Sequence, residues 1–181
     1  LELDGTVHLG FVRSPFAHAM ITGIDVSAAV AAPGVLAVYT AADLALPPIP
    51  PFVQVNEACA RTALATDRVR FVGEPVVAVI AESPAMVADA LELVDVDYDP
   101  LPSAIDPEQA LSAEAPQQFP ELGSNIAAGS RDAAGGDTVA DADVVVRARL
   151  VNQRLAVVPM EGNAILAAPG DDGFDMTVHV S

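Results

Sequence analysis

Apolar and polar positions alternate from the start of the chain. Thr6-Val7-His8-Leu9-Gly10-Phe11-Val12-Arg13 puts Val7, Leu9 and Phe11 on one face, the period of two that marks a half-buried strand. Ser14-Pro15 ends it, and residues 19–26 predict a second strand. Ser27 is placed to cap a short helix over 28–32, which Pro33-Gly34 closes. Val35-Leu36-Ala37-Val38-Tyr39-Thr40 is a compact strand rich in β-branched residues, followed by one helical turn over 41–44 and an irregular proline segment over 47–51. Val76-Val77-Ala78-Val79-Ile80-Ala81 is a continuous apolar run, the signature of a strand covered on both faces. Ser83-Pro84 then gives a cap residue and a proline at the first helical position. Val87, Ala90, Leu91 and Val94 recur at three- and four-residue spacing, predicting a helix over 84–93. Val94-Asp95-Val96-Asp97-Tyr98 returns to alternation with its aspartates outward. Strand, helix and strand in this order predict a right-handed crossover.

The pattern fails between 103 and 142, where Ala, Pro, Gly, Ser and acids dominate and Gly135-Gly136 breaks any period. This stretch is expected to be an acidic linker. Beyond it, residues 144–151, 155–158, 164–168 and 174–180 look like strands, with a hairpin turn at Pro169-Gly170-Asp171-Asp172-Gly173. The division is therefore 1–102, 103–142 and 143–181, in an α+β chain.

Composition adds exclusions. Hydrophobic residues make up 52% of 181 and mean hydropathy is +0.41, enough for a core, yet aromatics are 4% and Trp is absent. No apolar stretch nears the roughly 20 residues that span a bilayer, and the first residues show no export signal. Cytoplasm is the expected compartment. Net charge is −17, and all eight basic residues are arginine, so nucleic acid and anionic membranes are disfavoured partners. The single Cys59 excludes an internal disulfide or an all-cysteine metal cage. The chain opens without Met and stops inside what reads as sheet, so it is expected to be a fragment.

Candidate chemistry is thin. Asp95, Asp97 and Asp99 share one strand face at roughly 6.6 Å spacing, too far apart to hold one ion together. His8, His18 and His179 form no metal-binding spacing and are expected to pack or face solvent. Arg13-Ser14-Pro15 and His18 lie where a strand ends, a common place for functional loops. Gly73-Glu74-Pro75 reads either as an acid site or as the bend that starts a buried strand, and the bend is favoured. Glu161 lies in an apolar stretch; if buried it needs a partner, with Arg147, Arg149 or Arg154 available, or its pKa rises for acid–base work. No Walker A loop, dinucleotide fingerprint or nucleophile elbow occurs. A hydrolase using Glu74 or His18 has no supporting spacing.

Several stretches resemble one family. Gly10-Phe11-Val12-Arg13-Ser14-Pro15-Phe16-Ala17-His18-Ala19, Ile24-Asp25-Val26-Ser27 and Ala32-Pro33-Gly34-Val35 are similar to the start of the large, molybdopterin-binding subunit of molybdenum hydroxylases. These include xanthine dehydrogenases, aldehyde oxidases and aerobic carbon monoxide dehydrogenases. The likeness continues through Leu64-Ala65, Val69-Arg70-Phe71-Val72-Gly73-Glu74-Pro75-Val76, Ala88-Asp89-Ala90 and Val96-Asp97-Tyr98-Asp99-Pro100-Leu101-Pro102. Asn152-Gln153-Arg154-Leu155 and Pro159-Met160-Glu161 resemble the first strands of the cofactor region, while Gly162-Asn163 departs from many relatives and blurs the subfamily.

The resemblance implies an α/β-hammerhead domain over 1–102, a mixed sheet with short helices, followed by the first β-strands of a molybdopterin-binding domain over 143–181. It implies a parent oxidoreductase that oxidises an aldehyde, an N-heterocycle or carbon monoxide with water-derived oxygen. That parent holds a molybdopterin molybdenum cofactor, with 2Fe-2S clusters and FAD on partner subunits or domains. The family's glutamine beside molybdenum, its glycine-rich cofactor loop and its glutamate base lie beyond Ser181. No catalytic, cofactor-binding or metal residue is therefore assigned here. Two readings follow: an inactive structural N-terminal part of a large subunit, prone to self-association, or a stand-alone hammerhead module that docks proteins. The substrate is not legible.

Overall fold

The computed structural model describes residues 3–49, 56–129, 142–153, 155, 156, 158–170 and 175–181. It divides into two units, Leu1–Arg131 and Asp132–Ser181. The first is an α+β unit built on two three-stranded antiparallel sheets.

The first sheet centres on β5 (Pro75–Ala81). One edge of β5 pairs with β1 (His8–Arg13), in register His8↔Ala81 to Val12↔Val77, and the other with β3 (Val35–Tyr39). The apolar run predicted to be covered is so: Val76, Val77, Val79 and Ala81 are all at 0% exposure. Each such valine contributes about 1.5–3 kcal/mol relative to exposure. Over β1 and β5 lies α3 (Pro84–Leu91), burying Val87 and Ala90. Ser83 Oγ accepts from the Met86 amide at 3.3 Å and Pro84 opens the first turn, the start that the sequence predicts.

The second sheet has β2 (Ala19–Asp25) in the middle, flanked by β4 (Arg68–Val69) and β6 (Asp95–Pro100). Thus β5, α3 and β6 do not form the predicted crossover. Both edges of β5 are already taken by antiparallel neighbours, so the chain leaving α3 goes to the second sheet and pairs with β2. Asp95, Asp97 and Asp99 point outward on β6 as expected.

The expected inner face of β1 is also inverted. Val7 and Leu9 are 48% and 57% exposed, and α3 packs instead on the face that carries Gly10. A Cβ at Gly10 would stand 2.4 Å from Val87 Cγ1 and 3.0 Å from Leu91 Cδ1. The missing side chain is what lets the helix close on the strand, and it outweighs the alternation of Val7, Leu9 and Phe11.

Two short helices complete the unit. The helix α1 (Ser27–Val30) is started by Asp25, whose Oδ1 accepts from the Ser27 amide at 2.8 Å, rather than by a Ser27 side-chain cap. In α2 (Ala41–Leu44), Asp43 Oδ2 accepts from both the amide and the hydroxyl of Thr40 at 2.7 Å. These bonds lower the Asp25 and Asp43 pKa values, through the serine and threonine respectively.

Residues 103–129 have no strand, and two short 3-10 turns, at Gln109–Leu111 and Pro120–Leu122, interrupt an otherwise irregular path. They are nonetheless tied to the unit, for example by the Asn56 amide donating to Ala127 O at 2.8 Å. The proline segment ends in a single bridge between Ile49 and Arg61, with residues 50 and 51 outside the described residues.

The second unit holds a hairpin of β7 (Ile165–Pro169) and β8 (Met176–Val180), in register Ile165↔Val180 to Pro169↔Met176. The strand expected over 144–151 does not form. Val144, Val146 and Leu150 are 79–90% exposed, and with no pairing neighbour among the described residues, β-propensity alone does not make a strand. Among 155–158 the described residues carry no strand either, and residue 157 lies outside them.

Gly10→Ala is expected to lower the free energy of unfolding by about 1–3 kcal/mol, as overpacking does, in urea denaturation. Val87→Ala should cost less in that background than in the parent chain; an equal cost in both would mean the two sites are uncoupled. Separately, the depressed pKa of Asp43 means its stabilising bonds are present above the ordinary value of 3.8 and are lost as pH falls through the lower folded value. In an NMR titration Thr40→Val should raise the Asp43 midpoint toward 3.8; an unmoved midpoint would exclude the Thr40 hydroxyl as its main cause.

Candidate functional site

Of the residues singled out in the sequence, Arg13, Ser14, His18 and Glu74 lie in two segments that meet at one end of the first sheet. A bulge after Val12 sets Arg13 opposite Pro75 and delivers the chain to Ser14, which is 2% exposed. Ser14 N donates to Glu74 O at 2.9 Å, and Gly73 N donates to Ser14 O at 2.8 Å. Arg13 Nη1 donates to Gly73 O at 2.9 Å. The Arg13–His18 segment and the Arg70–Pro75 segment are thus stitched together through their backbones.

The Gly73-Glu74-Pro75 bend is a tight turn. Glu74 N donates to Phe71 O at 3.2 Å, and Gly73 sits at φ +90°, where no side chain is comfortable. A Cβ there would meet nothing within 4 Å, so conformation rather than space demands the glycine. Glu74 is 6% exposed, and its Oε2 accepts from the Arg70 amide at 2.5 Å. This carboxylate closes the turn that its own backbone makes.

Ser14 Oγ donates to Phe16 O at 2.9 Å and accepts from Phe16 N at 3.0 Å, which holds the Phe16 ring 5.2 Å from Tyr98 at 55°. Burial pushes the Tyr98 phenol up, and the nearby Ser14 hydroxyl offsets part of that, although Tyr98 Oη makes no hydrogen bond of good geometry among the described residues. His18 is 5% exposed. Its Nδ1 lies 2.8 Å from Pro102 O; because a carbonyl only accepts, Nδ1 carries the hydrogen. His18 Nε2 is buried without a partner among the described residues.

Two amides absent from the sequence-based candidates complete the junction. Gln118 Nε2 donates to Arg70 O at 2.7 Å and to Ala17 O at 3.2 Å, and Arg70 Nε returns a bond to Gln118 O at 3.1 Å. Asn125 Oδ1 accepts from Gln118 N at 3.2 Å, while its Nδ2 donates to Ala110 O and Pro116 O. Polar amides inside an aperiodic, proline-rich stretch were the available signal.

Chemically the arrangement holds a backbone in place. Glu74 is engaged with an amide, Ser14 with its own turn, and His18 with a carbonyl, so no nucleophile is set beside a base. His8 is half-buried on β1 and His179 exposed on β8. Glu161 is exposed, so it is not the buried carboxylate that would demand an ion pair; Arg154 lies outside the described residues. Among the described residues no three His, Cys, Asp or Glu side chains converge to hold a metal, and no helix is long and apolar enough to cross a membrane.

Comparison with known proteins follows the fold. Residues 1–102 match the family model for aldehyde oxidase and xanthine dehydrogenase, a/b hammerhead domain. The chain is 39% identical over 173 residues to the nicotine 6-hydroxylase large subunit of Paenarthrobacter nicotinovorans, covering 92% of this chain and 21% of that protein. It is 43% identical over 116 residues to the carbon monoxide dehydrogenase large chain of Afipia carboxidovorans, covering 64% of this chain and 14% of that one. The crystal structure of quinoline 2-oxidoreductase from Pseudomonas putida 86 superposes with a TM-score of 0.86 at 35% identity, over 98% of this chain and 23% of that one. The chain therefore spans about a fifth of the length of such relatives.

If Glu74 closes the turn, Glu74→Ala should cost about 1–3 kcal/mol by leaving the Arg70 amide unsatisfied. Glu74→Gln keeps an acceptor and should cost less. Urea melts of both variants check this, and equal losses would mean the charge, not the hydrogen bond, is what the site uses.

Proposed function

The chain belongs to the aldehyde oxidase and xanthine dehydrogenase hammerhead family, and we propose that it is the structural N-terminal part of the large subunit of a molybdenum-dependent hydroxylase. The observation that carries this is the pattern of coverage: nearly all of this chain matches large subunits of which it spans about a fifth. The parent enzyme would oxidise an aldehyde, an N-heterocycle or carbon monoxide, consistent with relatives named for nicotine, carbon monoxide and quinoline.

We place the molybdopterin molybdenum cofactor outside this chain. Among the described residues no three His, Cys, Asp or Glu side chains converge on a metal, and Ser14 Oγ, Glu74 Oε2 and His18 Nδ1 are engaged with the chain's own backbone. The cofactor, with 2Fe-2S clusters and FAD, is assigned to the remainder of the large subunit and to partner subunits or domains. The role left to this chain is mechanical, with the junction of Arg13–His18, Arg70–Pro75 and Gln118 fixing the end of the first sheet. A second reading, a docking module that works alone, is favoured by the apolar surface on β1 and β3, where Leu9 and Leu36 are 57% and 53% exposed.

The 181-residue chain, purified from cells that make the cofactor, is expected to contain no stoichiometric molybdenum by mass spectrometry and to show no turnover. A molar equivalent of bound molybdenum would overturn the structural role. Light scattering after size exclusion should show self-association rising with concentration, and a strict monomer throughout would argue against unpartnered interface surface.

A further inference from the structure

The outer strand of a sheet presents backbone N–H and C=O groups that need a neighbour, and proteins blunt such edges with charge, proline, bulges or brevity. The first unit has four edge strands, β1, β3, β4 and β6, and three of them carry one of these devices. On β6 stand Asp95, Asp97 and Asp99, and the strand ends at Pro100. The register of β3 slips between Val35 and Ala37, and β4 is two residues long. Over His8–Val12, β1 has none of them. It pairs with β5 without a slip from His8↔Ala81 to Val12↔Val77, and its one register shift comes after Val12. It contains no Asp, Glu or Pro, and no residue of it is fully buried. Among the described residues its backbone bonds only to β5.

This strand is complementary to itself. With Gly10 set opposite the Gly10 of a second, antiparallel copy, Leu9 meets Phe11, His8 meets Val12 and Val7 meets Arg13. Apolar side chains therefore oppose each other at the centre, and no two like charges are brought together, which cross-strand pairing requires. Gly10 lies on the face covered by α3, so alternation puts Leu9 and Phe11 on the opposite face, where they can pair without disturbing the helix. Charge narrows the choice further. Two molecules of net charge −17 repel over most of their surface, so contact falls where carboxylates are absent. The same symmetric pairing through β6 would bring its aspartates face to face.

We propose that two copies of this chain pair antiparallel through their β1 edges, joining two three-stranded sheets into one of six strands. The contact is isologous, each copy giving the other the same strand, and it uses main-chain hydrogen bonds for attachment and the Leu9–Phe11 pairs for register. It rests on the reading of this chain as an unpartnered structural part, and it gives the self-association expected of that part a definite surface.

Analytical ultracentrifugation of the 181-residue chain and two variants tests this. Leu9→Lys, at an exposed position, should weaken dimerisation by about tenfold or more, whereas Leu36→Lys, exposed on the other edge of the same sheet, should leave it unchanged. Added salt should strengthen the dimer by screening the repulsion of the acidic surfaces. Register is read separately, by mixing Leu9→Cys and Phe11→Cys chains that also carry Cys59→Ser, with oxidised glutathione as the two-electron oxidant. The mixed disulfide should form well above its statistical share. If Phe11→Cys does not fold, the lysine variants carry the test. Association that survives Leu9→Lys, or that weakens with salt, overturns the β1 contact while leaving self-association in place. A monomer at every concentration overturns both.

Discussion

Burial of β5 is the constraint on which the first unit depends. The strand is hydrogen-bonded on both edges and roofed by α3, so its valines have no route to water. Everything adjacent is arranged around that fact. Gly10 surrenders its side chain so that the helix can reach the sheet, and Ser83 and Pro84 begin the helix immediately after the strand ends. Because both edges of β5 are occupied, β6 has to join a different sheet. The two-sheet architecture follows from that choice of partners.

At the head of β5 the same economy governs the polar groups. Pro75 begins the strand and has no amide to offer, so the preceding turn must be secured by other means. Gly73 supplies the positive φ, Glu74 ties back to Arg70, and Ser14 locks the turn to the end of β1. The carboxylate that looked most like an acid catalyst is spent on geometry. Its burial is tolerated because a backbone amide meets it, as a buried charge requires.

Much of this was legible in the chain. The apolar run at 76–81, the Ser83-Pro84 start and the outward aspartates of β6 each rest on short-range patterns, and short-range patterns survive folding. What failed were inferences that depended on partners far away. Alternation in β1 named the wrong face because Gly10 carries no hydropathy signal, yet decides which side the helix meets. The crossover failed because strand pairing is chosen by edges, which sequence order does not reveal. Of the loop junction, Ser14, His18 and Glu74 were visible as odd polar residues near strand ends. Gln118 and Asn125 were not, since their bonds cross 48 and 101 residues, or join turns without any period.

The pairing of β1 with β5 has a consequence for how the chain is made. During synthesis β1 emerges first, but its hydrogen-bonding partner is not available until residues 75–81 have left the ribosome. Throughout that interval an apolar strand edge is open to any other nascent chain. Non-local pairing of this kind slows folding and exposes sticky edges. Pauses in translation placed before β5 would prolong the exposure, while pauses after α3 would not. Folding of this unit is thus coupled to the rhythm with which the codons between β1 and β5 are read.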